Sequence, residues 1–499
     1  MSEAEISLDW LEGHAAVRPV VGECVQRIEE VKPILERLER RKIRWGHERG
    51  HVLPVLPKHD PLPREADSLR DFGKPVVSLA KGSDLGHDVL PARQFTELVG
   101  LPVRSLSGMN TATVRTGLDR LPQMGDLLRG LRVGLIANPA SVDSAFRHAR
   151  EVVAGLPGVT LAALFAPEHG FDAVEQDLIE IADGDGPIPV HSLYGPTRRP
   201  TAAMLEGLDA LVFDAQDIGS RYYTYVWTMA HAMEAAADHG KRIVVLDRPN
   251  PIGGAAVEGN LIRDDHRSFV GLYPLPNRHG MTAGEIAGLL NRHHAIGADL
   301  VIVGCRGWKR EQWLDETGLA FIPPSPNMPT LDTATVYPGA CLIEGTNLSE
   351  GRGTTRPFEV CGAPWVDGFR LADALAGEEL PGVHFRPVRF RPTFHKFAGE
   401  ECGGVMQHVT ARNAYQPWRT GIAILNQVRR LWPSEFAWRP PPYEYELVRL
   451  PIDILGGSPA IREGIEAGRT TAEIADAGHA EGAAFKPIRD AFLLYRDPA

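Results

Sequence analysis

Residues 164–171 read LFAPEHGF and set a carboxylic acid beside an imidazole, Glu168 and His169, just behind a short apolar run. A carboxyl group can deliver or take a proton. An imidazole can steady it or bind a substrate oxygen. The run at 161–166 stops at Pro167, and Gly170 lets the chain turn. This is the pattern of a buried strand carrying polar groups to a loop at its carboxyl end, where open α/β sheets bind ligands. Phe165 and Phe171 flank the pair. Burial among them would raise a carboxyl pKa, which suits a proton donor at neutral pH. The competing reading of Glu168 is a surface turn glutamate, and His169 equally reads as a locally hydrogen-bonded histidine.

Other strand-like runs end the same way. Residues 132–137 end at Asn138, 209–213 at Asp214, Gln216 and Asp217, and 242–246 at Asp247, Arg248 and Asn250. One such loop says little, because Asp and Asn favour turns for local reasons. Several converging on one sheet edge say more, since buried polar groups are either satisfied or used. The stretch 213–225, FDAQDIGSRYYTY, mixes carboxylates, amides and aromatic rings with Arg221 and Tyr225. Carbohydrate sites use that mixture, although Tyr222 or Tyr225 also fits core packing. Arg248 suits bidentate capture of a carboxylate, or pairing with Asp247. Residues 344–355, EGTNLSEGRGTT, bring Glu344, Asn347, Glu350 and Arg352 among glycines that permit close backbone approach to a ligand. The same stretch also reads as an ordered interdomain loop.

Several chemistries lack their signatures. No Gly-Lys-Ser/Thr completes a phosphate-binding loop, and no G-x-G-x-x-G follows the first strand, so no nucleotide cofactor is expected. No G-x-S-x-G surrounds a serine, and no H-E-x-x-H spacing points to a metal.

To hold these groups, the chain needs a sheet. From about residue 131, short apolar runs alternate with helical stretches, the mark of βα units and a parallel sheet. A further strand is expected at 299–303. Ser220 is placed to cap a helix over 221–239 that stops at Gly240. Thr282 with Glu285, and Thr470 with Glu473, form capping boxes, which makes those glutamates structural. Prolines and glycines crowd 321–364. Strands are expected at 383–390 and 404–410, and helices at 418–431 and 471–477. The expected organisation is an α/β parallel-sheet catalytic domain over residues 109–310 and an α+β C-terminal auxiliary domain over 311–499. Residues 1–108 read as an extension: charged and helix-like over 24–44 with Pro33 interrupting, then loosely structured over 47–90. A second reading makes Met109 the start.

The net charge of −11 with no basic stripe argues against a nucleic-acid partner. No apolar run is long enough to span a bilayer and no signal peptide is visible, so a cytoplasmic location is expected. Five scattered cysteines, an odd number without CxxC, are expected to be buried thiols rather than disulfides or zinc ligands.

Taken together, several segments resemble the bacterial exo-β-N-acetylmuramidases that act on peptidoglycan fragments, long classed as a domain of unknown function. They are LFAPEHGF (164–171), VHSLYG (190–195), VFDAQDIGSRYYTY (212–225), DRPNPIGG (247–254) and VEGN (257–260). YPLPNRHGMTAGE (273–285), PPSPNMPT (323–330), EGTNLSEGRGTTRPFE (344–359) and GAPW (362–365) complete the match, from about Thr116 to the C-terminus. The resemblance implies a Rossmann-like catalytic domain, an active site in the cleft it forms with the auxiliary domain, and no redox cofactor. It implies release of N-acetylmuramic acid from non-reducing ends, with Glu168 as the catalytic glutamate. Many members are exported, unlike the location expected here.

For that reaction Glu168 would protonate the leaving oxygen while His169 orients it. Asp214 or Asp217 would be base, nucleophile or the group polarising the substrate acetamide, with Glu344 and Glu350 in reserve. Arg221, Arg248 and Arg352 are the cations available for the lactyl carboxylate. The rival readings are an amidase or esterase on the same scaffold, and a non-catalytic binder of wall sugars.

Overall fold

The computed structural model describes residues 44–48, 51–55, 114–124, 126–173 and 187–496. The chain divides into two compact units, 1–111 and 112–499. In the first, β1 (Arg44–Glu48) and β2 (His51–Val55) pair antiparallel, with Arg44 opposite Val55. The expectation of loose structure over 47–90 therefore needs correction at His51–Val55, whose valines suit a strand despite Pro54. The helix-like stretch 24–43 lies outside the described residues.

The second unit is built on a six-stranded, all-parallel sheet. Its strands are β3 (Arg132–Ala137), β4 (Thr160–Ala166), β5 (Val190–Ser192), β6 (Ala210–Asp214), β7 (Arg242–Leu246) and β8 (Asp299–Val303). They lie in the order β5-β4-β3-β6-β7-β8. Counted from β3 this is the 3-2-1-4-5-6 order of doubly wound, Rossmann-like sheets, whose strand order reverses between β3 and β6. The four inner strands β3, β4, β6 and β7 are largely buried on both faces, which is why they read as nearly continuous apolar runs. Leu135, Leu164, Val212 and Val244 point into one core, and Ile136, Phe165, Phe213 and Val245 into the other.

Helices α1 (Gly117–Arg120) and α2 (Ala149–Ala154) cover the first face; α3 (Tyr225–Asp238) and α4 (Ala283–Arg292) cover the second. The Thr282–Glu285 capping box opens α4 as expected. The start of α3 differs from expectation. It begins at Tyr225 with Thr224 as its cap residue, and Ser220 instead closes a tight turn with Tyr223.

The C-terminal lobe adds α5 (Leu331–Ala340), then a three-stranded antiparallel sheet of β9 (Val360–Ala363), β10 (Val383–Phe390) and β11 (Cys402–Val409) in the order β10-β11-β9. Around it pack α6 (Gly368–Ala376), α7 (Pro417–Leu431), α8 (Pro451–Gly456), α9 (Ala460–Glu466) and α10 (Thr471–Asp490). Strand β9 had no counterpart in the expected elements. Helix α10 runs well past residue 477, through Pro487. Helices α5 and α7 cross closely at glycines: a Cβ on Gly421 would sit 2.2 Å from the Gly339 carbonyl oxygen. The larger core cluster is continuous across both lobes, from Phe165 and Val226 to Ile422 and Ile454. The four cysteines among the described residues are buried free thiols. Among those residues no helix is long and apolar enough to cross a membrane.

Candidate active site

Where the two lobes meet, a cavity with about 500 Å³ of empty space opens above the carboxyl end of β4. The sheet lobe contributes Glu168, His169, Thr224 and Tyr225, and the C-terminal lobe contributes Asn327, Glu344, Arg352, Tyr443 and Glu444.

Glu168 is only 7% exposed. It sits second in a turn in which the Gly170 N–H donates to the Pro167 carbonyl at 3.0 Å. His169 occupies the third position with φ 69, a left-handed backbone usually left to Gly or Asn. Strain of that kind persists where the surroundings over-determine it, often at functional sites. His169 Nε2 lies 4.0 Å from Glu168 Oε1, beyond hydrogen-bond length. The group in hydrogen-bond contact with Glu168 is Thr224, whose hydroxyl donates to Oε2. Thr224 makes no side-chain cap to its own helix, so α3 gives up that cap to hold the acid.

Aromatic rings form much of the wall. Tyr225 lines the cavity and donates to the Pro324 carbonyl; Tyr223 donates to Ser325 Oγ at 2.9 Å. Glu344 is held from two sides, by Arg352 Nη2 at 2.8 Å and by the Tyr443 hydroxyl at 2.7 Å. Glu350 lies behind this wall, not on it, with Lys396 Nζ at 3.0 Å, His395 Nδ1 at 3.1 Å and Arg352 Nε at 3.4 Å. Burial alone would raise its carboxyl, but Lys396, His395 and Arg352 together hold it well below the usual carboxylate range.

Most of the other anticipated site residues do not line the cavity. Asp214 takes both Arg248 Nε (2.6 Å) and Nη2 (2.7 Å), a buried bidentate pair that occupies anion and cation alike. Asp217 accepts the Gly219 N–H at 2.7 Å and faces His279 Nε2 at 3.3 Å. Asp247 ties the end of β7 to α4 and to the C-terminal segment, accepting from Thr282, from the Gly284 N–H and from the Tyr495 hydroxyl. Burial outweighs those donors and raises its carboxyl to about 6. Arg221 is wholly buried and donates to the carbonyls of Asn260, Leu275 and Leu455, and burial pulls its guanidinium down to about 10.

Asn138 and Asn250 each accept an N–H two residues ahead, from Ala140 and Ile252, and so close their own turns. Gln216 donates to the carbonyls of Asp217 and Pro249, and Asn347 joins Glu435 to Ala437. These loops are buried, so their backbone groups need partners, and the polar side chains supply them.

Sequence reasoning passed over Thr224, Tyr194, Asn327, Tyr443 and Glu444. Tyr194 and Asn327 lie inside motifs noted above, VHSLYG and PPSPNMPT. Tyr443 and Glu444 follow a run of prolines at 440–442 and carry no local signal. Among the described residues no three His, Cys, Asp or Glu side chains gather so as to hold a metal ion.

Comparison with known proteins identifies the lineage. The family described as exo-beta-N-acetylmuramidase NamZ matches with its N-terminal part over residues 133–332 and its C-terminal part over 335–495. A peptidoglycan beta-N-acetylmuramidase NamZ of Bacillus subtilis (strain 168) is 43% identical over 386 residues, covering 77% of this chain and 91% of that protein. The chain belongs to the exo-β-N-acetylmuramidase family. Crystal structures of two DUF1343 family proteins from Bacteroides fragilis NCTC 9343 share the fold. One is 35% identical with a TM-score of 0.69, the other 26% identical with a TM-score of 0.62. Each match covers 77% of this chain, and 100% and 99% of the respective solved chains. The family match begins at residue 133, inside the second unit, and takes in both walls of the cavity.

Proposed function

We propose that this member of the exo-β-N-acetylmuramidase family hydrolyses the terminal glycosidic bond of peptidoglycan-derived fragments and releases N-acetylmuramic acid from their non-reducing ends, with Glu168 as general acid. The observation that carries the role of Glu168 is its position: a nearly buried carboxyl group, held by Thr224, in a cavity walled by tyrosines at the seam of the lobes. Glu168 gives its proton to the departing glycosidic oxygen as the C1–O bond breaks, and afterwards takes a proton from the water that adds at C1. The tyrosine rings offer flat surfaces for the sugar's C–H face. Arg352 is the arginine of the three anticipated that lines the cavity, and it is the proposed partner of the lactyl carboxylate.

The test is turnover of a chromogenic β-N-acetylmuramide, with a β-N-acetylglucosaminide and an ester run beside it. The expected result is cleavage of the muramide alone, with Glu168→Gln lowering kcat by roughly 10²–10⁴-fold. A Glu168→Gln protein that keeps near-native kcat would remove Glu168 from the mechanism. Cleavage of the ester alone would replace the reaction.

A further inference from the structure

Glu444 stands on the cavity's second wall, and Tyr194 holds it from behind that wall. Tyr194 follows β5 in the sheet lobe, whereas Glu444 lies between α7 and α8 in the C-terminal lobe. Both are buried, and the Tyr194 hydroxyl donates to Glu444 Oε2 at 3.2 Å across the seam. Burial first, then the charges of Glu168 and Glu444, push the Tyr194 phenol far above its ordinary range. It therefore remains a donor at any working pH. Glu168 and Glu444 line the same cavity.

The backbone that presents Glu444 is constrained. Glu444 and Tyr445 are consecutive non-glycine residues in the left-handed region, with φ 45 and 65. Reciprocal hydrogen bonds between Tyr443 and Glu446 close the turn. The Tyr445 ring meets Tyr194 edge-on at 5.5 Å, and the Arg198 guanidinium lies 4.1 Å from its centroid. Two strained residues held this firmly point to a side chain that must stand in one place. The other carboxylate on this wall, Glu344, has both oxygens committed to Arg352 and Tyr443.

We propose that Glu444, held in place by Tyr194, clasps the N–H of the substrate's 2-acetamido group and aims its carbonyl oxygen at the anomeric carbon, making Glu444 the second carboxylate of the reaction. The proposal rests on the muramidase reading above. The chemistry is complementary: an acetamide offers an N–H donor, and Glu444 offers a carboxylate acceptor whose Oε2 is fixed by the Tyr194 hydroxyl. In the first step the acetamide oxygen forms a bond to C1 as the C1–O bond to the leaving group breaks. Glu168 protonates the leaving oxygen, and the amide proton passes toward Glu444, giving a neutral oxazoline. In the second step water adds to C1 and gives its proton to Glu168. The C1–oxazoline bond breaks, and nitrogen recovers its proton from Glu444. The net change is hydrolysis with retention, and no reagent besides water is consumed.

Two measurements on the full chain test this. The first is kcat for β-muramides carrying N-acetyl, N-fluoroacetyl, N-difluoroacetyl and N-trifluoroacetyl groups, with the first-formed anomer read by NMR. The second is equilibrium binding of N-acetylmuramic acid against N-deacetylated muramic acid. Wild type is expected to slow steeply with each fluorine and to release the β-anomer. Glu444→Gln is expected to lose roughly 10²–10⁴-fold in kcat without rescue by azide. Glu444→Gln and Tyr194→Phe are each expected to lose the wild type's preference for the N-acetyl ligand. A flat response to fluorine, a first-formed α-anomer, azide rescue that yields an α-glycosyl azide, or an undiminished N-acetyl preference in Glu444→Gln would each overturn the clasp. A wild type that cleaves no muramide would overturn the reaction, while the binding comparison would still decide the clasp.

Discussion

Glu168 owes its position to a residue 56 places further along the chain. Thr224 precedes α3, where a threonine ordinarily turns its hydroxyl to the helix's free N–H groups, yet here it donates to the carboxyl of Glu168. A hydrogen bond to a charged group contributes about 1.5–3 kcal/mol. Thr224→Val keeps the shape and removes that donor. The expected outcome is a roughly 10- to 100-fold fall in kcat with little change in KM, since Thr224 touches the acid. Steady-state kinetics beside a thermal melt would check it; an unchanged kcat would show that Thr224 is only packing. The position of Glu168 at the end of a buried strand was legible, because an apolar run stops at Pro167 directly before it. Thr224 was not, because its type and place fit a helix cap equally well, and only the fold brings it to β4. The arginines follow the same logic. Arg221, Arg248 and Arg352 look alike in sequence, but three carbonyls claim the first, Asp214 the second, and the third, paired with Glu344 and Glu350, is the one that lines the cavity.

Elements with strong periodic or capping signals were read closely. The inner parallel strands are apolar along their length because helices cover both faces, and the Thr282–Glu285 and Thr470–Glu473 boxes open α4 and α10. Strand β9 escaped because VCGA is four residues long, includes glycine, and belongs to a sheet whose other members lie 20 or more residues away. Its place is decided by pairing with β11. The α5–α7 crossing is likewise a tertiary feature: Gly339 and Gly421 approach so closely that neither tolerates a Cβ. Gly421→Ala is expected to destabilise the protein by about 1–3 kcal/mol through overpacking, although alanine is the better helix former. Denaturant titration would check this, and a variant as stable as wild type would mean that the crossing opens freely.

At the scale of the molecule, the cavity exists because the two lobes share one core. Glu168 and Thr224 come from one lobe and Glu344, Arg352 and Glu444 from the other. Behind the cavity, Glu350 couples stability to pH. Its carboxyl is held below the unfolded value of 4.5, so the fold favours the ionised form. That contribution is fully present above the unfolded pKa and is lost as pH falls toward the folded one. The melting temperature is therefore expected to drop on acidification below about pH 4.5. Glu350→Gln should melt lower at pH 7 and show a flatter acid limb, because it leaves Lys396 and Arg352 without their anion. Parallel acid limbs for the two proteins in scanning calorimetry would refute the assignment.

By itself, the sequence determined the layer architecture, the strand ends, the family motifs and the place of Glu168 behind its strand. Each of these is written in local chemistry: runs of apolar residues, caps, and a carboxyl group behind a strand. The tertiary structure decided which polar groups are spent on the fold and which face the cavity. A buried loop must satisfy its own peptide groups, and Asn138, Asp217, Asp247 and Asn250 are committed to that work, while Asp214 is committed to Arg248. It also decided that Glu444, arriving across the seam from a proline-rich segment, would stand on the wall of the same cavity as Glu168. Such a pairing depends on distance in space, which residue type and spacing along the chain do not encode.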